Sequence, residues 1–380
     1  MSSRSETLAD LLAQSRALRP TPRAATLAYR GAMQSLMAEV TERMAAHPRY
    51  QEFLGRNAPA LLVDNHRNHV LFMDEVFESG KFDLLALTLP WVYHAYHAHG
   101  VHYDYFAAEL AIWKRAVEGQ LAPEQAAAIG DVYDWLIANH DSVVALAEER
   151  ANQADESQPA ADLADLFEAL TSALLDGDGA RVLELCRGAQ AFGTSLPGLL
   201  QGLIYPAMQR VGTLWESGRI SVADEHQATA IMNRVLAALY YEQTFPDAKR
   251  GRALVAACVN EYHEMGAWMV ATCLELDGWD VDYLGANVPN DDLLRKADAV
   301  APQLIALSVS MPFSLRQART LIATLRERLP TSKILLGGHV FRLLPALGAE
   351  MGADACLEDC EAAMRWAREN CHQAAGHAAR

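Results

Sequence analysis

The stretch Asn260-Glu261-Tyr262-His263-Glu264-Met265-Gly266 places an imidazole two residues after a carboxylate. A histidine that ligates a metal is usually oriented by an acceptor on its other ring nitrogen, and Glu261 is spaced to be that acceptor. The same pattern suits a surface or helix-capping histidine, so alone it does not choose between them. A second group is Leu214 to His226, in which nine residues separate Trp215 from Glu225 and His226 follows directly. It reads equally as a core tryptophan beside a solvated Glu-His pair. The third is Trp91 to Phe106, where His94, His97, His99 and His102 lie among Tyr93, Tyr96, Tyr103, Asp104 and Tyr105, with His66, Arg67 and His69 forming a further polar patch. His94 and His97 are three apart and share a helical face. Aromatic walls with a few donors suit a flat conjugated ligand, whose propionate an arginine such as Arg67 could hold. An aromatic core with histidines at its margin has the same composition.

The elements that must position these groups are legible from periodicity. Runs at 24–46, 61–79, 84–99, 101–118 and 124–149 carry apolar residues at three- and four-residue spacing, broken by Gly80, Gly100, Gly119 and Pro123; they predict an all-helical domain over residues 1–150. The polar stretch 151–160, with Pro159, reads as a linker. Segments at 161–175, 179–192, 196–217 and 221–245 predict a four-helix bundle over 161–248. Beyond Pro246 the pattern changes to short β-rich runs at 253–259, 279–284, 304–309, 333–336 and 355–357, each followed by a helical segment. These predict a flavodoxin-like, five-stranded parallel sheet over 249–380, so that the whole chain is α followed by α/β. Ligands of such sheets bind at the carboxyl ends of the strands. The loops to inspect are therefore 260–266, 285–290, 308–315, 337–341 and 358–361.

Charge and composition exclude several functions. The 48 acidic residues outnumber the 32 basic ones, and a net charge of −16 repels phosphate backbones and anionic lipid. Residues 1–150 hold 13 Lys and Arg against 19 Asp and Glu, so a basic helix-turn-helix module and direct nucleic-acid binding are not expected there. No apolar run reaches the roughly 18 residues of a spanning helix, and the N-terminus lacks the apolar core of a signal peptide. A cytoplasmic, membrane-free protein is expected. The six cysteines begin at Cys186 and contain no Cys-x-x-Cys pair, which argues against a zinc ribbon or disulfide framework and denies the first 150 residues any cysteine thioether to a cofactor.

Spacing gives the His263 loop a sharper meaning. Gly266 is separated by 41 residues from Ser308-Val309-Ser310, and Ser310 by 26 residues from Gly337-Gly338, each group falling at a predicted strand end. In order, distance and context this resembles the cobalamin-binding domain with the signature Asp-x-His-x-x-Gly, Ser-x-Leu and Gly-Gly. The resemblance covers about residues 160–372. It implies that His263 replaces the cofactor's own nucleotide base as lower axial cobalt ligand, that Ser308 and Ser310 face the displaced nucleotide, and that Gly337 and Gly338, followed by His339, leave room for it. Tyr262, Glu264, Met265 and Gly266 complete the cofactor loop, and Ser314 falls where the family often keeps an outer partner of the carboxylate. The chain departs from the signature with Glu261 for Asp and Ser310 for Leu. The first keeps the charge on a longer arm; the second alters the contacts available to the tail.

The Trp215-x9-Glu225-His226 pattern resembles the helical cap of the adenosylcobalamin photoreceptors related to the light-responsive carotenoid-gene repressors. That resemblance implies Trp215 packed over the adenosyl group with Glu225 and His226 alongside. A histidine commonly follows the cap tryptophan in that family, whereas Glu216 stands here. A helical domain without cysteine ahead of such a module resembles the photocobilins, which combine cobalamin with a bilin such as biliverdin. The implication is noncovalent bilin binding, with His94, His97, His102, Asp104, Tyr93 and Tyr105 as candidate contacts. The principal expectation is thus a light-sensing, non-enzymatic protein that self-associates, as related modules commonly do. Two other readings stand beside it: a corrinoid protein carrying methyl groups between methyltransferases, and a haem-binding regulator using His94 or His97.

Overall fold

Proline and glycine punctuate the N-terminal region for direct steric reasons. Pro59 and Pro123 each open a helix, where their missing N–H costs nothing, and Gly80 closes one with φ of 63°, a left-handed conformation that a Cβ disfavours. The computed structural model describes residues 7–151, 157–247 and 250–371. It divides into two compact units, one comprising the residues up to 151 with Glu216–Arg219, the other comprising the rest. Residues 152–156 of the predicted linker lie outside the described residues.

The first unit is helical: α1 (Leu8–Arg16), α2 (Arg23–Ala45), α3 (Tyr50–Leu54), α4 (Pro59–Ser79), α5 (Asp83–Ala98), α6 (Asp104–Gln120), α7 (Pro123–Ala138) and α8 (His140–Ala151). Helix α2 packs on α4, α6 and α7, while α5 packs on α1 and α8. Tyr29, Leu36, Val40, Val76, Trp113 and Ile129 are fully buried between them. The periodicity over 124–149 predicts one helix, but the structure breaks it at Asn139, whose side-chain amide turns back to donate to the Trp135 carbonyl at 2.9 Å. Asparagine competes for backbone hydrogen bonds in this way and so favours helix ends.

In the second unit, α9 (Ala164–Leu175), α10 (Gly179–Ala191), α11 (Leu196–Leu199) continued through a π-helical turn (Leu200–Ile204) into α12 (Tyr205–Glu216), and α13 (Val222–Tyr241) form the bundle. Helix α13 starts at a capping box, in which the Asp224 N–H donates to Ser221 Oγ at 3.2 Å and the Ser221 N–H donates to Asp224 Oδ2 at 2.8 Å. The bundle core, with Leu170, Val182, Leu203 and Leu236, is continuous with Met269, Cys273 and Cys360.

Those last residues belong to the α/β part, which runs β1 (Arg252–Ala257), α14 (Met265–Leu276), β2 (Asp280–Tyr283), α15 (Asn290–Val300), β3 (Leu304–Ser308), α16 (Leu315–Arg328), β4 (Lys333–Gly337), α17 (His339–Leu343), α18 (Leu347–Glu350), β5 (Ala355–Cys356) and α19 (Cys360–Asn370). All strand pairs are parallel, in the order β2-β1-β3-β4-β5. This is the flavodoxin-like order expected from the five βα units. The order reverses between β1 and β3, so the loops leaving those strands part from each other and open a crevice at their carboxyl ends. Among the described residues, no helix is long and apolar enough to cross a membrane.

Candidate functional site

The His263 loop leaves β1 at that reversal. Asn260 takes φ of 62° and Asn287, on the loop after β2, takes 51°, conformations that asparagine tolerates better than most residues. They brace one another: the Asn260 N–H donates to Asn287 Oδ1 at 2.8 Å, and the Asn287 N–H to the Glu261 carbonyl at 2.9 Å. This turn drives the Glu261 side chain inward to complete burial, while the His263 side chain stays 66% exposed. Glu261 Oε1 accepts from the His263 N–H at 3.0 Å and lies 2.6 Å from His263 Nδ1. Its other oxygen, Oε2, accepts from the backbone N–H groups of Ser310 at 2.6 Å and Met311 at 2.9 Å.

Burial pushes the Glu261 carboxyl up, but the His263 hydrogen bond and charge, with the His263 and Met311 amides, hold it below its ordinary value. The same bond to Glu261 raises the His263 imidazole against the opposing effect of desolvation, and the charge of Glu225 on α13 adds to the rise. A carboxylate on Nδ1 keeps a proton there. The neutral ring therefore presents its lone pair on Nε2. Glu261 also ties the β1 loop to the β3 loop, through backbone amides that any residue at position 310 would supply.

A cavity of about 270 Å³ opens beside this pair, lined by His263, Met265, Gly266, Ser308, Ser310, Gly337, Gly338 and His339 from the strand-end loops and by Gln201, Tyr205 and Met208 from the bundle. Its floor is a cross-strand row, Val255–Ala306–Leu335, with the small alanine in the middle. A Cβ on Gly266 would meet nothing within 4 Å, so its absence widens the opening. Gly338 is required for another reason: its φ is 114°, and a Cβ there would collide with the Val309 carbonyl. The room expected from the glycine pair thus comes with a backbone demand that only glycine meets.

Other expected residues lie outside the cavity lining. Tyr262 is exposed, and its hydroxyl accepts from Asn287 Nδ2 at 3.2 Å. Glu264 Oε2 accepts from the Tyr283 hydroxyl at 3.2 Å. The Ser314 hydroxyl is buried without a hydrogen-bond partner, while the amides of Ser310 and Met311 occupy the carboxylate's outer side. Trp215, at the end of α12, is half-buried. In the first turn of α13, Glu225 Oε2 lies 2.6 Å from His226 Nδ1 and its Oε1 accepts from Thr229 Oγ1 at 2.8 Å. Sequence reasoning missed Gln201, Tyr205, Met208 and Arg342 in the lining. The π-helical turn that helps to aim the first three has no periodic signature.

In the first unit several candidate bilin contacts pack against neighbouring rings. Tyr93 stacks on Phe106 at 3.9 Å and 11°, His97 stacks on Tyr103 at 3.9 Å and 13°, and His97 Nδ1 is 3.1 Å from the Val101 carbonyl. His94 is buried, and burial lowers its imidazole. His102 Nδ1 accepts from the Asp104 N–H at 3.2 Å, and Asp104 pairs with Arg49 at 2.8 Å. Tyr105 is fully buried and belongs to a second cluster, in which its hydroxyl accepts from Asn65 Nδ2 at 3.0 Å. Asn65 and His69 on α4 and Tyr105, Glu109 and Trp113 on α6 recur every four residues, and so each set shares a helix face. Burial pushes the Glu109 carboxyl up to about 7, against hydrogen bonds from Trp113, Asn65 and Tyr105. Burial also pushes His66 down to about 4 and, with the field of His66, pushes His69 down to about 3.

Residues 251–366 match the family model of the B12 binding domain, and residues 166–240 match a second model of the same description. The chain carries a cobalamin-binding module. That module is similar to the HTH-type transcriptional repressor CarH of Myxococcus xanthus, 30% identical over 141 residues that make up 37% of this chain and 46% of that protein. The chain thus spans about half the length of that relative. It is also similar to dimethylamine corrinoid protein 3 of Methanosarcina acetivorans, 27% identical over 215 residues, which cover 55% of this chain and 98% of that one. Among solved structures, the monomethylamine corrinoid protein of Methanosarcina barkeri aligns with a TM-score of 0.48 at 24% identity, over 55% of this chain and 99% of that chain.

The cobalamin-binding module's own residues fit the cofactor. The Glu261–His263 pair offers one nitrogen donor, as suits a cobalt that brings its equatorial ligands with it. Sites that enclose a whole drug-sized ligand run to about 300–1,000 Å³. A cavity of about 270 Å³ is therefore of a size for part of a ligand as large as cobalamin.

Proposed function

We propose that this chain is a light-responsive protein that holds adenosylcobalamin between the 161–248 bundle and the sheet. The observation that carries this reading is the Trp215, Glu225 and His226 constellation flanking the turn between α12 and α13, on a bundle whose Glu225 charge reaches His263. The likeness to a repressor over this module supports it. Adenosylcobalamin, when bound, supplies a cobalt–carbon bond that visible light breaks. The chain would supply the rest: His263 Nε2 would hold the cobalt, Glu261 would keep the proton on Nδ1, and Trp215 would pack against the adenosyl group. Loss of that contact would leave the α12–α13 cap free to shift, so the cap would be the two-state element. We place the output in a homo-oligomer in the cytoplasm rather than in direct contact with DNA.

The reading includes a noncovalent bilin held by residues 1–150 near Tyr93, His94, His97, His102, Asp104 and Tyr105. The absence of cysteine before Cys186 and the density of donors among aromatic rings support it. Its test is biliverdin titration: long-wavelength absorbance at defined stoichiometry, with the pigment released on denaturation, is expected. If biliverdin neither binds with defined stoichiometry nor alters the cobalamin photoreaction, a cobalamin sensor without bilin is the better account.

A methyl-carrying corrinoid protein is the second reading, favoured by relatives matched over nearly their whole length. Absorption spectra before and after illumination, with a dark control, separate the two. The sensor should bind adenosylcobalamin in preference to methylcobalamin, and Trp215→Ala should cut that preference roughly 5- to 100-fold. Equal affinities for both forms in the unmutated protein would leave the carrier as the account.

A further inference from the structure

The cofactor cavity carries a cation that neither the binding signature nor the cap pattern includes. Arg342 sits in α17, the short helix that follows Gly337-Gly338, and lines the cavity with His339 and Tyr205. The Gly338 backbone, pressed against the Val309 carbonyl, fixes where α17 starts. The Arg342 guanidinium lies 5.9 Å from the centre of the Tyr205 ring, within cation–π range. Its Nη2 donates to His339 Nδ1 at 3.2 Å. Two rings therefore hold its direction, one from the bundle and one from its own helix.

Several arginines of this unit are tied to carboxylates. Arg250 and Arg368 meet Asp277, Arg252 meets Asp282, Arg326 meets Asp354 and Arg328 meets Asp298. Arg342 has no carboxylate partner among the described residues. Of the acids lining the cavity, Asp359 is committed to capping α19, where it accepts from the Ala362 N–H at 2.6 Å, and Glu358 makes no ion pair with Arg342. In a chain of net charge −16, an arginine oriented at a ligand cavity and left without an acid is suited to an anion supplied by the ligand. Cobalamin carries one such group, the phosphodiester that joins the corrin to its nucleotide; its corrin side chains end in neutral amides.

We infer that Arg342, oriented by Tyr205 and His339, binds the phosphodiester of the nucleotide loop of cobalamin. The guanidinium fork matches a phosphate with two parallel N–H donors, which a lysine cannot reproduce. The inference rests on the cobalamin-binding module and not on the light response. It makes Arg342 the residue that distinguishes complete cobalamins from corrinoids lacking the nucleotide loop.

The test is equilibrium binding of hydroxocobalamin and of cobinamide, which keeps the corrin but lacks phosphodiester and base, to the full chain. Arg342→Gln should weaken hydroxocobalamin binding about tenfold, the scale of one charge-assisted hydrogen bond, and leave cobinamide binding within about twofold. Arg342→Lys should recover part of the loss, and added salt should weaken hydroxocobalamin binding more for the unmutated protein than for Arg342→Gln. Equal loss for both ligands would mean that Arg342 only supports the fold of the cavity, and no loss for either would remove it from binding; each result overturns the inference. An unmutated chain that binds neither ligand would overturn the cobalamin module itself, an outcome distinct from both.

Discussion

Two regions of this protein gather histidines, carboxylates and aromatic rings, and their arrangements are opposite. At the β1 loop, Glu261 is fully buried and its imidazole partner is largely exposed, so one lone pair stands on a rigid base. Among α4, α6 and α7 the groups satisfy and pack on one another: Trp113 donates to Glu109 at 3.1 Å, the half-buried His69 stacks on Trp113 at 4.8 Å, and the Tyr133 hydroxyl meets His69 Nε2 at 3.1 Å. The same residue types leave one donor exposed in one place and pack against each other in the other. Density of potential ligands is therefore a weaker signal than one exposed donor whose second nitrogen is held by a buried acceptor.

Substitutions in the two regions should separate these roles. The largest effect is expected from Trp113→Ala, which should cost about 3–5 kcal/mol in chemical denaturation through loss of a fully buried ring; a cost below about 1 kcal/mol would show that this cluster is not core. Glu109→Gln comes next, and its effect depends on pH. The folded value of Glu109, about 7, lies above its ordinary 4.5, so the folded state binds more protons between them and loses stability as pH rises through that window. His66 and His69, lowered to about 4 and about 3, act in the opposite sense: their penalty is felt at acid pH and disappears as pH rises to about 6.5. Glutamine removes only the Glu109 contribution. Relative to the unmutated protein, Glu109→Gln should therefore gain about 2–4 kcal/mol between pH 4.5 and 7.5. Denaturation midpoints that stay parallel across this range would contradict a raised Glu109.

At the other region, Glu261→Gln should cost about 1–3 kcal/mol, because an amide cannot accept from Ser310, Met311 and His263 together. It also takes the acceptor from His263 Nδ1, so the ring proton can move to Nε2 and cobalamin affinity should fall. Unchanged affinity would mean that Glu261 does not set the tautomer. The smallest effect belongs to Ser310→Leu, which restores the residue of the signature. Because the bond to Glu261 uses the backbone N–H, cobalamin affinity should change less than about threefold; a larger change would assign the serine hydroxyl a direct contact.

The parts of this site that sequence shows are those held by local rules. Strand ends announce themselves through β-rich runs followed by Asn, Ser or Gly; His263 falls in such a loop, while Ser308 and Gly337 close their strands, so their separations along the chain carry the geometry. Arg342 and Tyr205 were not legible because they meet across 137 residues through a π-helical turn and a strained glycine, neither of which has a period. Asn139 divided a helix whose apolar spacing continued unbroken, because a side-chain hydrogen bond outweighed the pattern. In the Trp91–Phe106 segment, composition alone could not distinguish rings that wall a ligand from rings that face each other.

The central claim is that cobalt takes its lower ligand from His263 Nε2 and not from the cofactor's own base. Electron spin resonance of the reduced cobalt(II) form, bound to protein carrying ¹⁵N-labelled histidine, tests it directly. Nitrogen-14 splits each cobalt line into a triplet and nitrogen-15 into a doublet. The account predicts a doublet with labelled protein, a triplet with unlabelled protein, and loss of the labelled coupling in His263→Ala. A triplet that persists in the labelled protein would place the cofactor's base on the metal and contradict the account.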